Sequence, residues 1–233
     1  MATVDSLRTH LVEELADLLD AETQLTRALP KLASAATSKQ LKQAFQKHLQ
    51  ETRTHVTRLK EAMRTMGESP TSKTCDGMKG LLDEGETMMN ETPAGALRDA
   101  VMITGAQKVE HYEMASYGTV RTYARVLGEA AVARLLQRTL NEEKAADLKL
   151  TQIAEGSVNE EAAEEWQAQD EDGLLSRTAD WAGSAAAVAS RSVTKGVQRA
   201  AATFGLSGGR PQKSSPNRTR GGRSSARRAS KKR

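Results

Sequence analysis

The chain has 233 residues, enough for one domain with a sizeable core plus an extension, and is 38% hydrophobic but only 3% aromatic. Abundant Ala, Leu, Glu, Lys, Arg, Gln and Met favour helix over strand and predict an all-α fold; one cysteine, Cys75, excludes an intrachain disulfide and Cys-rich zinc patterns, and no run reaches the ~20 apolar residues of a membrane helix. The net charge of +4 divides sharply, because residues 174–233 carry fourteen Lys or Arg against one acid, Asp180, while residues 1–173 sum to −9.

Met1 to Leu15 is charged and lacks an apolar core, so no signal peptide is expected, and the single cysteine fits a reducing cytoplasm. A first long helix is predicted from Val4 to Ala36, capped by Thr3 or Asp5 and kinked at Pro30. A second runs from Ser38 to Met66 and stops at Gly67. The crossover from Gly67 to Thr92 contains a short helix near Cys75 to Met89. A third long helix spans Pro93 to Leu127, with Pro93 in its first turn and Gly128 as its stop. The fourth runs from Glu129 to Glu155 and stops at Gly156, followed by an acidic stretch, 157–171, with room for a small helix. Residues 174–204 show an amphipathic spacing (Leu174, Trp181, Ala185, Val188, Val193, Val197, Phe204), and 205–233, rich in Gly, Ser, Arg and Lys, is expected to be a disordered basic tail. Two hairpins joined by one long crossover, within residues 1–165, are the connectivity of a ferritin-like antiparallel four-helix bundle.

Apolar residues recur at spacings of three and four in every long helix, and in every one the stripe is interrupted by ionisable residues near its middle. The first helix carries Leu18, Glu22, Leu25. The second carries Phe45, His48, Glu51 or Thr52, His55, Leu59. The third carries Ile103, Glu110, Glu113, Tyr117, and the fourth Leu140, Glu143, Asp147, Leu150. Buried carboxylates without partners cost several kcal/mol each and repel one another, so a shared pair of cations is the economical explanation. Oxygen-rich ligation with imidazole suits iron, with manganese as the other candidate. The candidate ligands are Glu22, Glu51, His55, Glu110, Glu113, Glu143 and Asp147, the pairs Glu51–His55 and Glu143–Asp147 each sharing one helix face at a spacing of four. His48 competes with His55 for the ligand role or supports it from behind. Tyr112, Tyr117, Tyr123 and the methionines read as packing residues, Cys75 as a small buried side chain, and His10 and His111 as surface residues.

The runs Asp20-Ala21-Glu22, His48-Leu49-Gln50-Glu51-Thr52, Gln107-Lys108-Val109-Glu110-His111-Tyr112-Glu113 and Glu142-Glu143-Lys144-Ala145-Ala146-Asp147 resemble the YciE/YciF family of ferritin-like proteins over about residues 3–165. Those proteins are bacterial and stress-associated. The resemblance implies a ferritin-like bundle, often a homodimer, with a di-iron centre and no firmly established reaction. Ferritin-like enzymes place a histidine three residues after the helical Glu, whereas Thr54 and Ala146 stand there in this chain.

Two functions are therefore expected. In the first, the metals react with peroxide or oxygen; Glu110 bridges them with Glu51 or Glu143, Glu22 and His55 are terminal ligands, and Glu113 shuttles a proton as the catalytic carboxylate. In the second, the chain is a non-enzymatic protector of nucleic acid. Residues 206–233 would grip phosphates, since Arg210 to Arg233 holds ten Lys or Arg and no acid.

Overall fold

Short-range chemistry sets the ends of the helices. In the computed structural model, which describes residues 6–168, α1 (Leu7–Ala35) begins where the Ser6 hydroxyl accepts the Thr9 N–H at 3.1 Å. The caps expected at Thr3 and Asp5 lie outside the described residues. Pro30 sits inside α1 and does not end it. Ser38 caps α2 (Lys39–Thr65), and the buried Asp99 carboxylate accepts the N–H groups of Thr37 (2.9 Å) and Ser38 (2.6 Å) at the same turn. Gly67 and Gly128 end α2 and α4 (Ala96–Val126) with φ of 78°. Each uses the same pair of bonds: Gly67 N–H to Arg64 and Glu68 N–H to Met63, then Gly128 N–H to Arg125 and Glu129 N–H to Ala124. The positive φ is the reason glycine stands at both.

Two expected boundaries move. Pro93 precedes α4 rather than opening it; Gly95, at φ 144°, takes the N-cap, and Ala96 and Leu97 donate to the Glu165 carboxylate at 2.9 and 3.3 Å. Gly156 does not end α5 (Ala130–Ile153): a π-turn, Ala154–Val158, carries the chain on into further helix over 159–168. Val158 is fully buried with Leu150 and Ile153, so packing overrides the local preference of glycine to stop a helix. The crossover holds α3 (Asp76–Glu91), capped by Cys75. Among the described residues no strand occurs, and no helix is long and apolar enough to cross a membrane. The segments 174–204 and 205–233 lie outside the described residues.

Helix α1 packs on α2 and α4, and α5 packs on the same two, so the four long helices close a ring, with α3 laid against α4 and α1. The interior is divided. One apolar cluster is built from Leu11, Leu15, Leu59, Met63, Val120 and Leu136, the other from Leu25, Leu29, Phe45, Met102, Ile103 and Leu150. On α2, α4 and α5 the buried residues between the contributions to the two clusters are all polar, and on α1 Glu22 falls at the same junction.

Candidate metal centre

Glu22 lies on α1 between Leu19 and Leu25; His48, Thr52 and His55 lie on α2 between Phe45 and Leu59; Glu110 and Glu113 lie on α4 between Val109 and Tyr117; Glu143 lies on α5 between Leu140 and Leu150. All seven are buried, His48 being the most exposed at 6%. A single polar layer thus crosses the ring between two apolar plugs. Its donor atoms fall into two groups, His48–Glu110–Glu113–Glu143 and Glu22–His55–Glu143, each with its atoms within 4.8 Å of one another. Glu143 belongs to both.

The contacts inside the layer are short but badly aligned. His55 Nδ1 is 2.9 Å from Glu143 and 3.3 Å from Glu22, and His48 Nε2 is 3.2 Å from Glu110, yet none of these imidazole nitrogens has a hydrogen bond of good geometry in these contacts. Both Glu113 oxygens, both Glu143 oxygens, Glu22 Oε2, Glu110 Oε2 and both His48 nitrogens have no hydrogen-bond partner among the described residues. Two firm bonds anchor the edge: Tyr117 Oη donates to Glu22 at 2.5 Å, and His55 Nε2 meets Glu142 at 2.8 Å. Arg58 in turn grips Glu142, with Nη2 to Oε1 at 3.0 Å.

The electrostatics follow from burial. Glu110 is pushed up to about 8 by burial, which outweighs the opposing field of His48. Burial, together with the neighbouring carboxylates, drives Glu113 well above the ordinary value, and burial raises Glu22 despite His55. Burial opposes the charged imidazoles, but the facing acids prevail, holding His48 at about 9 and His55 at about 11. In the metal-free layer, then, the imidazoles carry charge and carboxyls retain protons.

Of the candidates read from the sequence, Glu22, His55, Glu110, Glu113 and Glu143 come together in the layer. Glu51 and Asp147 do not. Glu51 turns to Lys47 and His48 Nδ1 (3.8 Å), and its contact with His48 holds it down at about 2. Asp147 lies 3.3 Å from the exposed His111 and 3.4 Å from Gln107. The cause is angular: at about 100° per residue, His48 and His55 lie within about 20° of one line on α2, while Glu51 is about 60° from His48 and toward the flank. His48, a competitor in the sequence reading, is thereby a full member of the layer. Sequence reasoning passed over Glu142, Arg58 and the Tyr117 hydroxyl, and held Thr52 only as the alternative to Glu51. Only the doubled acid Glu142–Glu143 gave a signal, since neighbouring residues on a helix face different ways.

A family model described as a domain of unknown function, DUF892, matches residues 6–163. Over 163 residues the chain is 44% identical to Protein YciF of Escherichia coli (strain K12), spanning 70% of this chain and 96% of that protein. The crystal structure of the E. coli stress protein YciF superposes with a TM-score of 0.64 at 42% identity, covering 66% of this chain and 98% of that one. YcfI from Rhodopseudomonas palustris gives 0.62 at 37% identity, covering 64% and 94%. A Xanthomonas campestris pv. campestris protein, 21% identical with a TM-score of 0.53 over 66% and 94%, shares the fold.

Proposed function

We propose that the chain, which belongs to the DUF892 family, is a ferritin-like four-helix bundle whose polar layer holds two ions of iron or manganese that react with peroxide or oxygen during stress. The observation that carries this reading is the set of buried carboxylate and imidazole atoms without hydrogen-bond partners, gathered from four helices into two groups joined by Glu143. Two imidazolium charges cannot neutralise Glu22, Glu110, Glu113 and Glu143 together. Either carboxyls keep protons in an apolar interior, or cations replace them, and mixed carboxylate–imidazole donors suit iron and manganese. That E. coli YciF is described as a stress protein agrees with the physiological part.

In this reading His48, Glu110, Glu113 and Glu143 would hold one ion and Glu22, His55 and Glu143 the other. When bound, such ions supply Lewis acidity and, through their oxidation states, electrons for the oxidant. The residues do the rest. Glu142 fixes the ring of His55 through Nε2, which leaves Nδ1 turned to Glu22 and Glu143. Tyr117 holds Glu22 by one oxygen. Glu113, whose two oxygens are free of hydrogen bonds, is the group to hold and release a proton at Oε1 or Oε2. Glu51 and Asp147 flank the layer and would join it only through a change of rotamer.

Elemental analysis tests the proposal. Wild-type protein should bind roughly two ions per chain, and Glu110→Ala and Glu143→Ala should each abolish stoichiometric binding; about two ions retained by Glu110→Ala would refute it. A second reading, compatible with the first, is that residues 206–233 hold nucleic-acid phosphates, favoured by the ten cations of Arg210 to Arg233. Assembly as a homodimer, which the family resemblance implies, and residence in a reducing cytoplasm, which the single cysteine suits, complete the proposal.

A further inference from the structure

A cavity of 120 Å³ runs from the surface to the polar layer, between α1, α2, α3, α4 and the C-terminal half of α5. Its walls are the buried side chains of Leu25, Leu29, Phe45, Met102, Val109 and Leu150, with Leu82, Gly85 and Met89 of α3 as one side. Its ends differ. The exposed Lys31, Glu86 and Lys149 mark the mouth, where Lys31 Nζ and Glu86 Oε1 pair at 3.2 Å between α1 and α3. His48 and Glu110, 6% and 3% exposed, mark the floor.

That combination selects an occupant. A void of ~150 Å³ walled by aliphatic and aromatic side chains binds benzene rather than water, so this one suits a single ring or a short alkyl chain. The floor adds a demand that a dry hydrocarbon cannot meet: both His48 nitrogens and Glu110 Oε2 lack hydrogen-bond partners among the described residues and, closed off from a water-sized probe, reach an incoming oxygen by a turn of the side chain. We propose that the cavity is the binding site for a small, mainly apolar organic molecule with one oxygen-bearing end, its body against Leu25, Phe45 and Met102 and its oxygen at His48 and Glu110. Charge at the mouth is balanced within the Lys31–Glu86 pair, and Lys149 is exposed there, so a tail or weak negative charge projecting outward is tolerated. The site deepens the metal-centre reading, which places one ion at the same floor, by naming the class of molecule that would reach it. Of its lining, however, only His48 and Glu110 belong to the polar layer.

The probe is phenol, titrated calorimetrically into the chelator-treated full-length chain, with toluene as the ring of similar size lacking the hydroxyl. Saturable binding of one phenol per chain is expected, with toluene weaker. Two substitutions fill the cavity from different helices: Gly85→Leu, where a new Cβ meets nothing within 4 Å, and Ala106→Leu on α4. Each should weaken phenol roughly tenfold or more, and Gly85→Leu, in a helix interior, gains helix propensity rather than losing it. Absence of saturable phenol binding, toluene binding as tightly as phenol, or phenol binding unchanged in both variants overturns the proposal. Metal content of the same variants, measured before chelation, reports separately on the metal centre, so either reading can fail alone.

Discussion

Raising the pH should loosen the metal-free protein, in a window where surface carboxylates and lysines contribute little change. Glu110 stands at about 8 in the folded chain against an ordinary 4.5, and His48 at about 9 against 6.5. For both groups the folded value is raised, so each contributes stability that is complete below the unfolded value and is lost as pH climbs through the folded one. Linkage gives a fall of about 2–3 kcal/mol for either group between pH 6 and pH 9; because the two lie 3.2 Å apart their effects merge into about 3–5 kcal/mol, and His55, at about 11, with the raised Glu22 and Glu113, adds to the loss in the same direction. For a domain of this size that corresponds to a drop of roughly 10 °C in melting temperature. Glu51, held at about 2, is ionised throughout the window and adds no slope. The assay is thermal unfolding followed by circular dichroism in chelator, at several pH values from 6 to 9. Metal-loaded protein should show the opposite trend, since ions displace those same protons and bind better as pH rises. A metal-free melting temperature that stays flat or rises across the window would refute the electrostatic account of the layer.

Replacing Tyr117→Phe removes the donor to Glu22 and should cost about 1.5–3 kcal/mol in urea unfolding of the metal-free chain, because the acceptor is a buried carboxyl; a change below about 0.5 kcal/mol would mean that the bond is not formed. Gly95→Ala meets φ 144° and the Glu165 oxygens 2.8 Å from the new Cβ, so a loss of about 2 kcal/mol is expected by the same measurement, against about 1 kcal/mol for Glu165→Ala, which only uncaps α4. Deleting residues 206–233 should abolish salt-sensitive retardation of DNA in gels while leaving metal content unchanged; retardation that survives the deletion would exclude the tail as the contact.

The helical class was legible because its signals are local: sparse aromatics, stripes at spacings of three and four, and glycines that take φ 78° where α2 and α4 stop. Gly156 shows where such signals fail. Nothing within a few residues says that Val158 will be buried against Leu150 and Ile153, and that burial decides whether the helix goes on. Gly95 is the converse case, since the Glu165 carboxylate that caps α4 comes from 69 residues away. In the site, the break in each apolar stripe was readable, but spacing alone left Glu51, His48 and His55 on one broad face of α2. Which of them enters the ring depends on where α1, α4 and α5 converge, and on Lys47 drawing Glu51 to the flank.

The two halves of the layer are built for different surroundings, though both draw their imidazole from α2. His55 has its Nε2 fastened by Glu142, itself gripped by Arg58, and that pair lines a polar surface cleft with Lys47, Gln50 and Thr54. Its orientation is therefore fixed from outside, and only Nδ1 faces the carboxylates. His48 has no such anchor among the described residues; both nitrogens lack hydrogen bonds, and it stands at the floor of an apolar cavity. Glu22 and His55 are fully buried and tied, Glu22 to Tyr117 and His55 to Glu142. His48, Glu110 and Glu113 carry nitrogens and oxygens without hydrogen bonds, and His48 and Glu110 border the proposed ligand cavity. Glu143 contributes to both groups. The proposed roles divide accordingly, anchoring on the His55 side and exchange with small molecules on the His48 side, a division that the spacing of the acids alone does not reveal.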